Sequence, residues 1–238
     1  MTIVFTLACI IGIVVPLLLI FVFYKGIERS AFAPLQKSRY KALVIRFAIA
    51  WALAVWLLGA TNIFAYHPGD ILPRFLVPLM LPVLAGLLLL RNRNFRIILD
   101  NTPLSFMIGM QTFRFLGVLF LFVVNENLAP IDFTAGGYGD IITGLLALLA
   151  AVMLTRKANT AIVASWAFTV AGVADLLNVA AMLLFYYPVW SLAEPSSAGA
   201  ANFPLILVLG LAAPFALTFH VYTIRKLVFA TQDPKAIH

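Results

Sequence analysis

Arg114, Asp140 and Asp175 offer the most chemistry in this chain, because each interrupts a run of apolar residues. A charge at membrane depth is costly, so such side chains usually face a bundle interior or a wet cavity and pair with one another. Arg114 lies about ten residues into its apolar run, roughly 15 Å along a helix. Asp175 lies about fourteen residues into a longer run, which sets it at a similar depth. Gln111 is one helical turn from Arg114, and Asn178 is one turn from Asp175. The spacing predicts an Arg114–Asp175 ion pair whose remaining donors and acceptors are met by Gln111 and Asn178. Asp140 is the alternative partner for Arg114. Such a centre suits an anionic solute held by the arginine, with a carboxylate taking up protons. It equally suits a purely structural pair.

Asp140 closes the stretch Gly136-Gly137-Tyr138-Gly139-Asp140, which has two readings. In the first, glycines turn the chain and Asp140 meets the positive end of a helix beginning there. In the second, exposed backbone N–H groups and the acid frame a solute or proton site. Beyond it, Gly144, Ala147 and Ala151 form a stripe of small residues that favours close helix packing. The stretch also matches the G-x-G-D pattern of intramembrane aspartyl proteases. In the presenilin and signal-peptide-peptidase families a Tyr-Asp motif precedes that pattern and a Pro-Ala-Leu motif follows it. Here Asp175 comes after the pattern and both companions are missing, so an enzyme is the weakest reading and no catalytic residue is assigned.

His220, expected near the inner end of the last span, reads as a packed or interfacial histidine that could join a ligand or proton site. No H-x-x-x-H or H-E-x-x-H pair is present, so neither a metal nor another cofactor is expected. No lysine lies within the last span to carry a retinal Schiff base, and there is no Gly-x-Ser-x-Gly nucleophile elbow.

These residues must be positioned by helices in a bilayer. The chain is 63% apolar and 11% charged, against about 45–50% and roughly 25% in soluble domains. The net charge of +7 sits in short loops, and no soluble face exists to present it to nucleic acid. The single cysteine, Cys9, excludes an intrachain disulfide. Apolar runs of about the ~20 residues a span requires lie at 3–24, 43–66, 71–90, 104–124, 138–155, 161–187 and 203–224. Pro16 should kink the first, and Pro73, Pro78 and Pro82 should bend or unwind the third.

Cations cluster between alternate runs: Lys25 to Lys41, Arg91 to Arg96, Arg156 with Lys157, and Arg225, Lys226 and Lys235 at the end. The loop carrying Glu126 and Asp132 has no cation. The positive-inside rule then predicts an all-α, single-domain bundle of seven spans over residues 1–238, N-terminus outside and C-terminus cytoplasmic.

Three stretches carry a resemblance: RFLGVLFLFVVNENLAPIDFTAGGYGDIITGLLA, VAGVADLLNVAAML and PLILVLGLAAPFALTFHVYTIRKL. They resemble a group of uncharacterised bacterial integral membrane proteins with an Arg-x-x-Gly span, an Ala-Gly-x-Gly-Asp helix start, an Asp-bearing helix and a Pro…Leu-His final helix. The matching residues are Arg114, Gly117, Gly136, Gly139, Asp140, Asp175, Pro214 and His220. The resemblance implies a bacterial cytoplasmic membrane and carries no activity. The expected function is small-solute transport or ligand binding, proton-linked, at the Arg/Asp centre. The alternative is a non-catalytic subunit or assembly factor docking another membrane protein or a second copy.

Overall fold

The computed structural model describes residues 2–232; Lys235, counted above in the closing basic cluster, lies outside them. The described residues form helices joined by turns and loops, without strands. Six helical segments are long and apolar enough to cross a membrane, and a seventh is reached if one sharply bent pair counts as a single span. Exposed surfaces carry Leu17, Phe47, Leu57, Leu148 and Val163, whereas Gln111, Arg114, Asp175 and His220 are buried. The core is mainly apolar as well, so it is the apolar exterior and the buried charges that depart from a water-soluble protein and fit a chain solvated by lipid.

The first helix, α1 (Thr2–Arg29), and the second, α2 (Pro34–Ala60), are joined by only a short turn. The basic cluster between them therefore sits mostly on helix, and α2 begins well before the expected 43 because Pro34 occupies its first turn, where a missing N–H costs nothing. Pro16 does not interrupt α1. A proline leaves the carbonyl four residues earlier without its helical donor. Here that carbonyl is Gly12 O, and the Trp56 indole N–H donates to it at 3.3 Å. The arrangement recurs at Pro214: the orphaned carbonyl is Gly210 O, and the Trp51 indole N–H donates to it at 2.9 Å. Two tryptophans on α2 thus satisfy two proline-vacated carbonyls on neighbouring helices.

Trp51→Phe should therefore cost about 1–3 kcal/mol, the penalty of a buried carbonyl left unpaired. In a Pro214→Ala background, where residue 214 regains its N–H, the cost of Trp51→Phe should fall well below that. Equal losses in both backgrounds on detergent melting would show that the indole acts only by packing.

The third apolar run forms a helix only over α3 (Leu76–Leu89), not from 71 as expected. Residues 71–75 are turns around Pro73, and Arg74 pairs with Asp70 there, Nη2 to Oδ1 at 2.8 Å. After α3 the chain bends by 95° into α4 (Arg93–Asn101). The α4 helix is tied to the second half of the last described helix, α9 (Ala213–Gln232). Arg225 Nη2 reaches Asp100 Oδ2 at 3.2 Å, and Lys226 Nζ donates to the Asp100 carbonyl at 3.0 Å, a cation on a helix C-terminus.

The candidate span over Leu104–Asn125 is composite. It runs from α5 (Leu104–Gly109) through a 3₁₀ segment, Met110–Gly117, into α6 (Val118–Asn125). Next come α7 (Phe133–Thr155), α8 (Ala161–Phe185) and a π turn over Val208–Ala212 that leads into α9. The 3₁₀ segment packs on α7, α7 on α8, and α8 on α9, while α1 and α2 pack together with α3 against α9 on the other side.

Candidate functional site

The 3₁₀ segment explains how Arg114 reaches its partners. With three residues per turn, side chains at i and i+3 eclipse, so Gln111, Arg114 and Gly117 share one buried face. Arg114, only 2% exposed, points into the junction of α7, α8 and α9. Its Nε donates to Asp140 Oδ1 on α7 at 2.5 Å, and its Nη2 forms a close ion pair with Asp175 Oδ2 on α8. Its Nη1 donates to the Gly172 carbonyl at 3.3 Å and lies 3.4 Å from His220 Nε2 on α9. A guanidinium has only donors, so Nε2 accepts and the imidazole proton sits on Nδ1. All three nitrogens of Arg114 are engaged.

Glycines make the approach possible. A Cβ on Gly117 would collide with Asp140, one on Gly139 with the Asp175 carboxylate, and one on Gly172 with the His220 ring. Gly144 of the small-residue stripe lies against the backbone of Phe115, which lets α7 seat on the 3₁₀ segment.

The expected Arg114–Asp175 pair is present, and Asp140 is a second partner rather than an alternative. Asp140 does not start a helix. The α7 helix begins at Phe133, just beyond Pro130, so Asp140 lies two turns inside it. The backbone N–H groups of the glycine stretch are thereby spent in helical hydrogen bonds, which removes the cradle of exposed donors. Asn178 is corrected too: it lies on the exposed side of α8, because the buried face follows Ser165, Phe168, Gly172 and Asp175. Gln111 does not touch the ion pair; its Nε2 donates to the Ala216 carbonyl of α9 at 3.3 Å. His220 is not near an inner end. The last candidate span runs over Val208–Phe229, which places it near the middle, 1% exposed and stacked on Phe168.

Two neighbours were not foreseen, Gly172 and Thr143. Each is one turn from a carboxylate, Gly172 before Asp175 and Thr143 after Asp140, so helical spacing would have pointed to them. Thr143 Oγ1, His220 Nδ1 and Gln111 Oε1 are buried without a hydrogen-bond partner among the described residues, an unusual density of unmet polar atoms around one arginine. Two cavities, of about 950 Å³ and about 570 Å³, lie elsewhere, and none of Arg114, Asp140, Asp175 or His220 lines either. Arg114, Asp175 and His220 are buried, whereas the Asp140 side chain stays 16% exposed. With its three charged groups ionised it carries one guanidinium against two carboxylates, a net charge of −1.

A family model described as a domain of unknown function (DUF8737) matches residues 93–228, more than half of the chain and all of the centre. No curated protein and no solved structure gives a significant match. The chain belongs to the DUF8737 family.

Proposed function

We propose that this is a small membrane transporter or solute-binding protein, proton-linked, whose working site is the Arg114–Asp140–Asp175–His220 centre. The observation that carries the reading is one guanidinium shared between two carboxylates of different helices. In a low-dielectric interior the unbalanced negative charge calls for a proton or a cation. A small anionic solute competing for Arg114 would release a carboxylate, which then takes up a proton. Binding of solute and proton are thus coupled through one cation. The test is a screen of small carboxylates, inorganic phosphate and halides for flux into proteoliposomes under a pH gradient. Flux or binding of none of them would defeat the reading.

The burial of Arg114, Asp175 and His220 favours a second reading. In it the charges only join α7, α8 and α9, and the protein is a non-catalytic subunit or assembly factor for another membrane protein or a second copy. A monodisperse, stable protein purified without partners would count against it.

The bundle is proposed to cross a bacterial cytoplasmic membrane seven times, N-terminus outside and the end of α9 inside. The short α3 must then cross, since only that keeps Arg29 to Lys41 and Arg91 to Arg96 on one side. A reporter active only in the cytoplasm should work when fused after Ala33, Asn92 or Lys157 and stay silent after Ser196. Activity at Ser196 would overturn the seven-span arrangement.

A further inference from the structure

A second site lies on the opposite face of α9 from the ion pair. The α1, α2, α3 and α9 helices border a cavity of about 950 Å³, the size of a pocket for a sizeable ligand. Its lining runs along α2 from Tyr40 to Trp51 and along α1 from Val15 to Phe23. At 1.5 Å per residue these stretches are roughly 12–17 Å long, about half of the ~30 Å hydrocarbon core. The cavity is therefore about as deep as one lipid leaflet.

Its polarity is one-sided. Arg91, Asn92, Asn94 and Tyr40 lie at the end nearest the α3–α4 bend, and the remaining walls are mainly aliphatic and aromatic. Asn94 Nδ2 donates to the Tyr40 hydroxyl at 2.8 Å, and Asn92 Oδ1 accepts from Phe95 N at 3.1 Å. Arg91 has neither an ion pair nor a side-chain hydrogen bond among the described residues. The α2 helix packs on α1 and α3 packs on α9, and the cavity fills the wedge between them. Leu43, Phe47 and Leu88 both line it and are exposed on the outer surface. Access is thus sideways through an apolar wall, the path of a lipid rather than of an aqueous solute.

We propose that this cavity binds one anionic phospholipid from the leaflet on the basic-loop side. The phosphate rests against Arg91 and the free amide donors of Asn92, and the acyl chains lie between α2 and α3. Three features on one site select this occupant: leaflet depth, a cation lacking an acidic partner at the polar end, and lateral opening. The inference rests on the membrane reading, but not on any role for Arg114.

The test is native mass spectrometry of the full chain in non-ionic detergent, titrated with dioleoyl-phosphatidylglycerol or dioleoyl-phosphatidylcholine. One phosphatidylglycerol should be retained about tenfold more tightly than phosphatidylcholine. Arg91→Gln should remove about that factor, the loss of one charge-assisted contact. Arg93→Gln, a neighbouring exposed cation outside the lining, should leave binding unchanged. Ala85→Phe, which fills the cavity, should weaken both lipids. Equal retention of the two lipids would overturn the proposal, as would equal losses in Arg91→Gln and Arg93→Gln. Because Arg91 is exposed, its variant keeps the test decisive if Ala85→Phe fails to fold.

Discussion

Arg114→Ala should destabilise the protein by about 3–5 kcal/mol, the range for removing one partner of a buried ion pair. The loss is large because two carboxylates share that cation, Asp140 at 2.5 Å and Asp175 as a close ion pair. Without it they face each other at low dielectric with no counter-charge. Asp140→Asn or Asp175→Asn alone should cost less, since Arg114 keeps one ionised partner in either variant. Adding both substitutions to Arg114→Ala should recover much of the lost stability, because no uncompensated charge remains. Detergent melting of the single, double and triple variants is the check. Losses that simply add would show that the three residues do not act as one unit.

Gly139→Ala should also destabilise, against what helix propensity alone dictates. Glycine inside a helix costs roughly 0.5–1 kcal/mol relative to alanine, so the change would stabilise α7 if the site were free. It is not free, since the new Cβ would occupy the position of the Asp175 carboxylate. Either the helices part or Asp175 leaves Arg114. Overpacking alone costs about 1–3 kcal/mol, and disrupting the ion pair adds to it. In an Asp175→Ala background the carboxylate is gone and only the Cβ of residue 175 remains, 3.2 Å away, so Gly139→Ala should cost far less. A much smaller loss in the second background is the outcome that direct contact with the carboxylate produces. Destabilisation of equal size in both would mean that α7 needs the glycine for another reason.

The sequence makes the charged partners legible and obscures their setting. Arg114 and Asp175 stand out because a charge within an apolar run has few explanations in a membrane. Asp140 is visible as a residue but misplaced by the glycines before it, which read as a turn. In a bilayer, backbone groups must be satisfied within the helix, and Gly136, Gly137 and Gly139 serve close packing there, since a Cβ would collide with Val179, Leu121 and Asp175. Asn178 shows the opposite limit. Spacing by one turn puts two residues on neighbouring faces, yet the buried face of α8 passes from Asp175 to Met182 and leaves Asn178 exposed.

The 3₁₀ segment has no sequence signature that separates it from an α-helix of the same composition. Its consequence, the alignment of Gln111, Arg114 and Gly117, emerges only in the structure. The pairing of Trp51 and Trp56 with proline-vacated carbonyls was likewise hidden, because it joins residues far apart in the chain. The third apolar run was legible as irregular from its prolines, but the 95° bend that follows it was not.

The most direct test of the proton-linked centre follows internal pH in proteoliposomes while an anionic solute from the screen is added outside. Wild-type protein should acidify the lumen as solute enters, because each cycle carries a proton on a carboxylate released from Arg114. Asp175→Asn should fold, by the melting criterion above, and lose the coupled pH change. A pH change in Asp175→Asn equal to that of the wild type, or none in the wild type with any solute of the screen, would contradict a working role for the centre.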